Sequence, residues 1–473
     1  MRRVLKIAGG AAVTYGIFAL TAGVFAYLVP RKSKKPVKTE RFYGESEGVD
    51  RIMLVEGLED SFQRRVEIIR QAKKTLDVSC HCVKAGQSGD FIFGELLRAA
   101  DRGVKVRVLF DGTVGGMHGE HRRLPLALNS HPNMEFRSYL PVRFLKPWEW
   151  NVLLHDKFMI ADDSFLMLGG RNMGDEYFNP PGYTGALTHD RDVMVCNTAA
   201  GSEKSRESVV WEVRGYMEKL WQSRAARRYV LNKSQVKQGI REQKRLKNLC
   251  GKWELSWPEY VKPSVPAVEL MVPTSKIHLV SNPLTPFKKI PEIGRTLEAL
   301  GKEGRDIWIQ SPYISDNPHI LKAFREMTRE GGTLRVITNS MASTPNPPAF
   351  SDYYFTRKKF VGTGVRLLEY QQSRKSIHAK SFLMDGRFSV VGSFNLDDRS
   401  IYIDTETVLV VDSPAFNQIL SREFETLSAQ CLEVGADNRY VPDAVVRPCT
   451  VPAAKRGLMA VVSVISRLFR FLI

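Results

Sequence analysis

The 473-residue sequence predicts an α/β protein of two homologous lobes, each a mixed sheet flanked by helices. Three observations carry this expectation. One pattern is written twice: His155, Lys157, Asp162, Gly169, Gly170 and Asn172 recur as His378, Lys380, Asp385, Gly392, Ser393 and Asn395. Both copies read H-x-K-x4-D-x6-G-G/S-x-N, and every matched position is offset by 223 residues. A strand–helix–strand run with glycine at the helix end precedes each copy. The length suits two such lobes with additional segments at the ends.

The elements follow in order. In the first half Thr75–Cys80 reads as a strand, Phe93–Ala100 as a helix stopped at Arg102-Gly103, and Val104–Phe110 as a strand. In the second half Asp306–Gln310, Ile320–Glu330 stopped at Gly331-Gly332, and Thr333–Thr338 repeat the scheme. Each is a crossover unit of a partly parallel sheet. Each motif then reads as a hairpin. Val152–Leu154 leads into His155, Phe158–Ile160 leads out, and Phe165–Leu168 returns to Gly169. Ser381–Met384 and Phe388–Val391 do the same before Gly392. Asp162 and Asp385 fall at the turns, where aspartate bonds its own backbone, and are expected to be structural. Glycines 169, 170 and 392 let the chain approach an anion closely, and Ser393 offers a hydroxyl where the first copy has Gly170.

His and Lys alternate across one residue, so on a strand they share a face. Two histidines, two lysines and two asparagines supply what cleavage of a phosphodiester needs. They offer cationic and amide donors for the phosphoryl oxygens, a nucleophile, and a group to protonate the leaving oxygen. No metal is required, and none is expected. Cys80 and Cys82 flank His81 without a further ligand cluster, and the remaining cysteines are scattered. Neither a metal site nor a disulfide framework is expected.

The phrases Gly169-Gly170-Arg171-Asn172-Met173-Gly174-Asp175-Glu176-Tyr177-Phe178 and Gly392-Ser393-Phe394-Asn395-Leu396-Asp397-Asp398-Arg399-Ser400 resemble the phospholipase D superfamily. Within it they are most similar to the bacterial cardiolipin synthases, C type, over roughly residues 50–450. The resemblance implies a pseudo-twofold arrangement with one shared active site. It implies that one histidine becomes phosphorylated while the other protonates the leaving alcohol and activates the acceptor; His155 is favoured as the nucleophile. It also implies a carboxylate behind each imidazole. Aligning Asp190-Arg191-Asp192 with Asp404-Thr405-Glu406 at an offset of 214 assigns Glu406 to His378 and Asp192 to His155. Gly170 departs from Ser393 of the second copy, and Asp404 stands where the family often has asparagine.

The ends bear on the substrate. Ile7–Val29 runs 23 residues without a charge, long enough for a membrane anchor and longer than the apolar core of a cleaved signal peptide. Arg31, Lys32, Lys34, Lys35 and Lys38 follow, a basic linker suited to anionic head groups. From Ala454 an apolar and basic segment suits a helix lying in the membrane interface. The expected divisions are an anchor and linker over 1–40, a first lobe with a basic helical insertion over 41–255, a second lobe over 256–450, and a membrane-contact helix over 451–473.

A net charge of +18 indicates a polyanionic partner. The densest basic run, Arg224–Lys247, reads first as a solvated helix face, next as a lipid contact, and last as a nucleic-acid track. Pro-rich stretches at Trp257–Val272 and Ser343–Ala349 read as connectors, the second able to shape the substrate mouth.

The resulting expectation is a phosphatidyltransferase of the bacterial inner membrane. It would make cardiolipin from phosphatidylglycerol and a second phospholipid, phosphatidylglycerol or phosphatidylethanolamine. The same site with water as acceptor would be a hydrolytic phospholipase D, and a membrane-anchored nuclease is the other alternative.

Overall fold

The computed structural model describes residues 2–28, 33, 35–285, 287 and 289–472. Helix α1 (Arg2–Phe25) comes first. The first lobe begins with β1 (Asp50–Val55), α2 (Leu58–Gln71), β2 (Thr75–Cys80), α3 (Gln87–Asp101), β3 (Lys105–Asp111), α4 (Leu124–Asn129) and β4 (Met134–Tyr139). It continues with β5 (Phe158–Ala161), β6 (Phe165–Gly169), α5 (Asp175–Phe178), β7 (Leu187–His189) and β8 (Asp192–Asn197). Then come α6 (Val209–Gln222), β9 (Ala226–Arg228), α7 (Lys233–Ser256), α8 (Pro258–Val261) and β10 (Val272–Pro273).

The second lobe begins with β11 (Lys276–Ser281), α9 (Glu292–Glu303), β12 (Asp306–Gln310), α10 (Pro318–Met327), β13 (Thr333–Asn339), α11 (Pro347–Val361) and β14 (Arg366–Tyr370). After β15 (Lys375–Ile377) come β16 (Lys380–Met384), β17 (Phe388–Gly392), α12 (Asp398–Tyr402), β18 (Thr407–Asp412), α13 (Pro414–Ser428), β19 (Cys431–Glu433) and α14 (Ala453–Leu468).

The repeat is visible strand by strand. The first sheet contains the order β1-β8-β6-β5-β2-β3-β4, and the second contains β11-β18-β17-β16-β12-β13-β14. In each, the last three strands run parallel and the rest antiparallel. Strands alternate their faces. Leu166 and Leu168 of β6 join a core shared with the second lobe, whereas Met167 joins the core under the outer helices. The sheets meet where β6 and β8 pack on β17, so the lobes are fused rather than merely linked.

Aspartates tie each hairpin back to its sheet. Asp162, at φ 52°, accepts backbone N–H groups of Lys73, Lys74 and Thr75 at 2.7–2.8 Å. Asp385, at φ 51°, accepts those of Arg305 and Asp306 at 2.9 and 2.7 Å. A left-handed conformation is costly for most residues, and aspartate is among those that tolerate it. The carboxylates also satisfy donors at the starts of β2 and β12.

Several expectations change. β10 pairs with β1, so the chain stays on the first sheet to Pro273, beyond the division expected at 255. The basic run forms helix α7, which buries Leu246, Cys250 and Trp253 and leaves Lys233, Lys237, Arg241 and Lys244 exposed. Among the described residues no helix is long and apolar enough to cross a membrane, so the crossing expected for 7–29 finds no support. Val29, together with Pro30, Arg31, Lys32 and Lys34 of the expected linker, lies outside the described residues. The last turns of α1 rest on the first lobe: Asn151 donates to the Gly23 carbonyl at 2.9 Å, and Tyr15 to that of Phe144 at 2.6 Å.

The C-terminal segment, expected to lie free in the membrane interface, packs by one face on the catalytic body. Met459, Ser463 and Ser466 are buried, and Ser466 bonds Ser351 of α11 at 2.8 Å. The opposite side still exposes Leu458, Val461 and Val464, at 52 %, 63 % and 66 %.

Candidate active site

The two motifs converge where the lobes meet. His155 and Lys157 lie in an extended segment just before β5, not within the strand that the sequence indicates. Lys380 is the first residue of β16, and His378 sits between β15 and β16. Each lysine ammonium donates to the carbonyl of its own histidine, Lys157 to His155 and Lys380 to His378. Asn172 and Asn395 follow the glycines that end β6 and β17. Both asparagines are buried with a side-chain oxygen that has no hydrogen-bond partner among the described residues. An amide presents either its oxygen or its NH2 by a half-turn, so each can offer donors to a phosphoryl oxygen.

The carboxylates cross between lobes, which corrects the expected pairing. His155 Nδ1 lies 2.8 Å from Glu406 Oε1, and His378 Nδ1 lies 2.5 Å from Asp190 Oδ2. Glu406 therefore serves His155 rather than His378, and the acid behind His378 is Asp190. The cause is in the strands. Leu154 bridges Thr405 in parallel, which carries His155 alongside Glu406. β7 and β15 pair in parallel, with His189 opposite Ile377, which carries Asp190 alongside His378.

Asp192 does not face an imidazole. It sits opposite Gly169 in the ladder, as Val408 sits opposite Gly392. The repeat offset thus drops from 223 to 216 beyond the motif, making Asp190 the counterpart of Glu406 and Asp192 that of Val408. Asp192 turns instead toward the outer helices. There it accepts from Arg171 Nε at 3.0 Å, Arg65 at 3.1 Å and Ser61 Oγ at 2.9 Å, all buried.

Electrostatics separate the two imidazoles. Burial, joined by Lys157 and His81, holds His155 well below the ordinary imidazole range. Burial and Lys380 lower His378 to about 4, with Asp190 opposing them. Burial alone would raise Asp190, but His378 and Lys380 outweigh it and keep that carboxyl below the usual range. Burial pushes Glu406 well above its usual range against the pull of Lys157; Ser393 also donates to it. Lys380 is lowered to about 7 by burial, with Asp190 raising it and Lys157 lowering it. Of the two, the His378–Asp190 pair is the better built to hold an imidazolium. His155 is the better held neutral, its Nε2 lone pair free when Nδ1–H points at Glu406.

Four neighbours were not among the expected site residues. His81 packs its ring edge-on against His155, centroids 4.7 Å apart, and its Nδ1–H donates to the Leu154 carbonyl at 2.8 Å. Tyr177 and Tyr313 flank His378 at 5.8 and 6.4 Å between ring centroids. Arg191, fully buried, links the lobes by donating to Glu56, Gln310 and Ser381.

The arrangement can hold a phosphodiester between two imidazoles with ammonium and amide groups around its oxygens. A family described as "Cardiolipin synthase, PLD-like domain" matches residues 66–221 and 297–428. The chain is 27 % identical to cardiolipin synthase C of Escherichia coli (strain K12), covering 77 % of this chain and 82 % of that one. It is 24 % identical to a cardiolipin synthase of Oceanobacillus iheyensis, covering 82 % and 70 %. It is also 27 % identical to an uncharacterised Helicobacter pylori protein (strain J99), covering 77 % and 76 %. In fold it resembles the crystal structure of phosphatidylserine synthase from Haemophilus influenzae Rd KW20, with TM-score 0.60 and 15 % identity over 92 % of this chain and all of that one.

Proposed function

Since the chain belongs to the cardiolipin synthase, PLD-like domain family, we propose that it is a phosphatidyltransferase that makes cardiolipin through a phosphohistidine. Phosphatidylglycerol is the acceptor, and phosphatidylglycerol or phosphatidylethanolamine the donor. The observation that carries this reading is the crossed pair of imidazoles, each backed by a carboxylate of the other lobe.

In the first step Nε2 of His155 attacks the donor phosphorus. A P–N bond forms, the P–O bond to the head-group alcohol breaks, and the His378 imidazolium gives that oxygen its proton. A bound phosphodiester anion favours this imidazolium, which Asp190 also stabilises. In the second step neutral His378 takes the hydroxyl proton of phosphatidylglycerol. The alkoxide oxygen attacks phosphorus, the P–N bond breaks, and His155 is released. Lys157, Lys380, Asn172 and Asn395 hold the non-bridging oxygens through both steps, where charge stabilisation counts most in a dehydrated site.

Membrane association is part of the proposal. Val13, Ile17 and Leu20 of α1, Phe144 and Leu145 beside it, and the outer side of α14 are exposed apolar residues. Paired with a cationic chain, they favour adsorption to an anionic bilayer.

The test is product analysis by mass spectrometry, with purified protein on phosphatidylglycerol vesicles with and without phosphatidylethanolamine. Cardiolipin supports the reading, and its dependence on the second lipid names the donor. Phosphatidic acid in its place makes water the acceptor and overturns the transferase.

A further inference from the structure

Transfer between two phospholipids poses a demand that hydrolysis does not. The acceptor brings a phosphodiester of its own, a second anion that has to lie near the first without entering the catalytic centre. A recess of about 500 Å³ opens along the segment that leads to His378 and is lined by Lys84, Glu176, Tyr183, Arg374, Lys375 and Lys455, with backbone and hydroxyl groups between them. Lys84 is paired with Glu176. Lys455 donates to the carbonyls of Ala342 and Thr344, both at 2.9 Å, and makes no ion pair among the described residues. Arg374 and Lys375 are exposed and make no ion pair among the described residues.

Three further features fit a lipid anion. The recess is floored by the parallel pair of β7 and β15, the strands that run directly into Asp190 and His378. Lys375 and Arg374 therefore stand three and four residues upstream of His378, roughly 10–13 Å along an extended chain. The glycerol bridge between two phosphates, extended by the reach of these long side chains, covers that separation.

Lys455 stands in the first turn of α14. Turned away from it around the same helix, at about 100° per residue, Leu458, Val461 and Val464 are exposed and offer acyl chains an apolar surface near the recess. The equivalent position across the pseudo-twofold is closed. Beside the Leu154–Thr405 bridge, Arg399 donates to Asp404 at 3.1 Å, to the Asn151 carbonyl at 2.7 Å and to that of Leu472 at 2.9 Å. Among the described residues only the His378 side is open and cationic.

We propose that this recess binds the phosphodiester of the acceptor lipid, with Arg374, Lys375 and Lys455 as its ligands. It would thereby present the glycerol hydroxyl to His378. The inference rests on the transferase reading and adds a direction to it: the acceptor approaches on the side of the second histidine.

The test sets two acceptors in competition. Wild-type and Arg374→Ala/Lys375→Ala proteins act on phosphatidylglycerol vesicles in the presence of ethanol, and the ratio of cardiolipin to phosphatidylethanol is measured. Ethanol carries no phosphate, and both products come from the same donor step, so the ratio cancels any general loss of activity. The ratio is expected to fall about tenfold or more in the double variant, since each lost contact is a charge-assisted hydrogen bond. Arg374→Lys/Lys375→Arg is expected to return it toward wild type. An unchanged ratio in the double Ala variant overturns the recess while leaving the transferase intact. Neither product from the wild type overturns the transferase, and the recess with it.

Discussion

His155 and Glu406, 251 positions apart in the chain, meet at 2.8 Å between Nδ1 and Oε1. The reciprocal pair, His378 and Asp190, spans 188 positions at 2.5 Å. Each imidazole is thus oriented by a carboxylate that its own lobe does not supply.

That crossing separates two aspartates only two residues apart. Asp190→Asn is expected to cut kcat by about 10³-fold or more, because the imidazolium of His378 loses its counter-charge and its fixed tautomer. Asp192→Asn is expected to act on stability instead. It leaves Arg65 and Arg171 buried beside a neutral amide, at about 3–5 kcal/mol. Steady-state kinetics and thermal melting of the two variants separate the roles. A kinetic loss for Asp192→Asn with unchanged melting would contradict the assignment.

The two histidines are expected to differ in what they trap. His155→Ala removes the attacking nitrogen, so no phosphatidyl adduct forms. His378→Ala retains the nucleophile but slows turnover by about 10³-fold or more, allowing an adduct on His155 to accumulate. Acid-free peptide mass spectrometry after quenching locates the phosphorus. An adduct on His378 in the wild type would reverse the roles.

Lys380 gives the pH dependence a direction. With the group lowered to about 7, the ammonium is present below that pH and lost above it. Affinity for an anionic head group in the free protein therefore declines as pH rises through about 7, and the decline is read in kcat/KM. Bound anion favours the ammonium, so the corresponding limb of kcat lies at higher pH. Lys380→Arg stays charged throughout and is expected to lack the limb, whatever its absolute rate.

The exposed side of α14 is expected to support adsorption to vesicles. Val461→Asp with Val464→Asp removes about 3 kcal/mol of apolar contact, roughly 10²-fold in partitioning, without touching buried Met459 or Ser466. Co-sedimentation with phosphatidylglycerol vesicles measures it; unaltered binding would remove α14 from the membrane surface.

Much of this was legible in the chain. β2 and β12 have the bounds that their apolar runs indicate, because a period-two apolar pattern in the sequence and flanking charges leave little freedom. The turn aspartates are equally plain, since a hairpin needs a residue that tolerates positive φ. Asp190 was missed because aligning it requires counting across a segment that holds α5 and β7, whose length the second lobe does not share. Strand register resolves it, and one chain's sequence contains no register. His81 was missed for a related reason. The isolated bridges Val83–Met173 and Ile314–Leu396 place Pro312 at the matching position, so the repeat gives no sign of it. The ends were half legible: apolar composition identifies surfaces that avoid water, but not whether a lipid or the protein's own body covers them.

The exchanged carboxylates also constrain when and how the molecule can change. A nascent chain that has emerged only as far as its first lobe holds a histidine without its acid and an acid without its histidine. Such a chain holds neither completed pair; both form only when the second lobe docks. The same exchange ties the two halves together in descent. A duplicated ancestor could not let one copy decay while the other kept working, because each copy maintains the other's histidine.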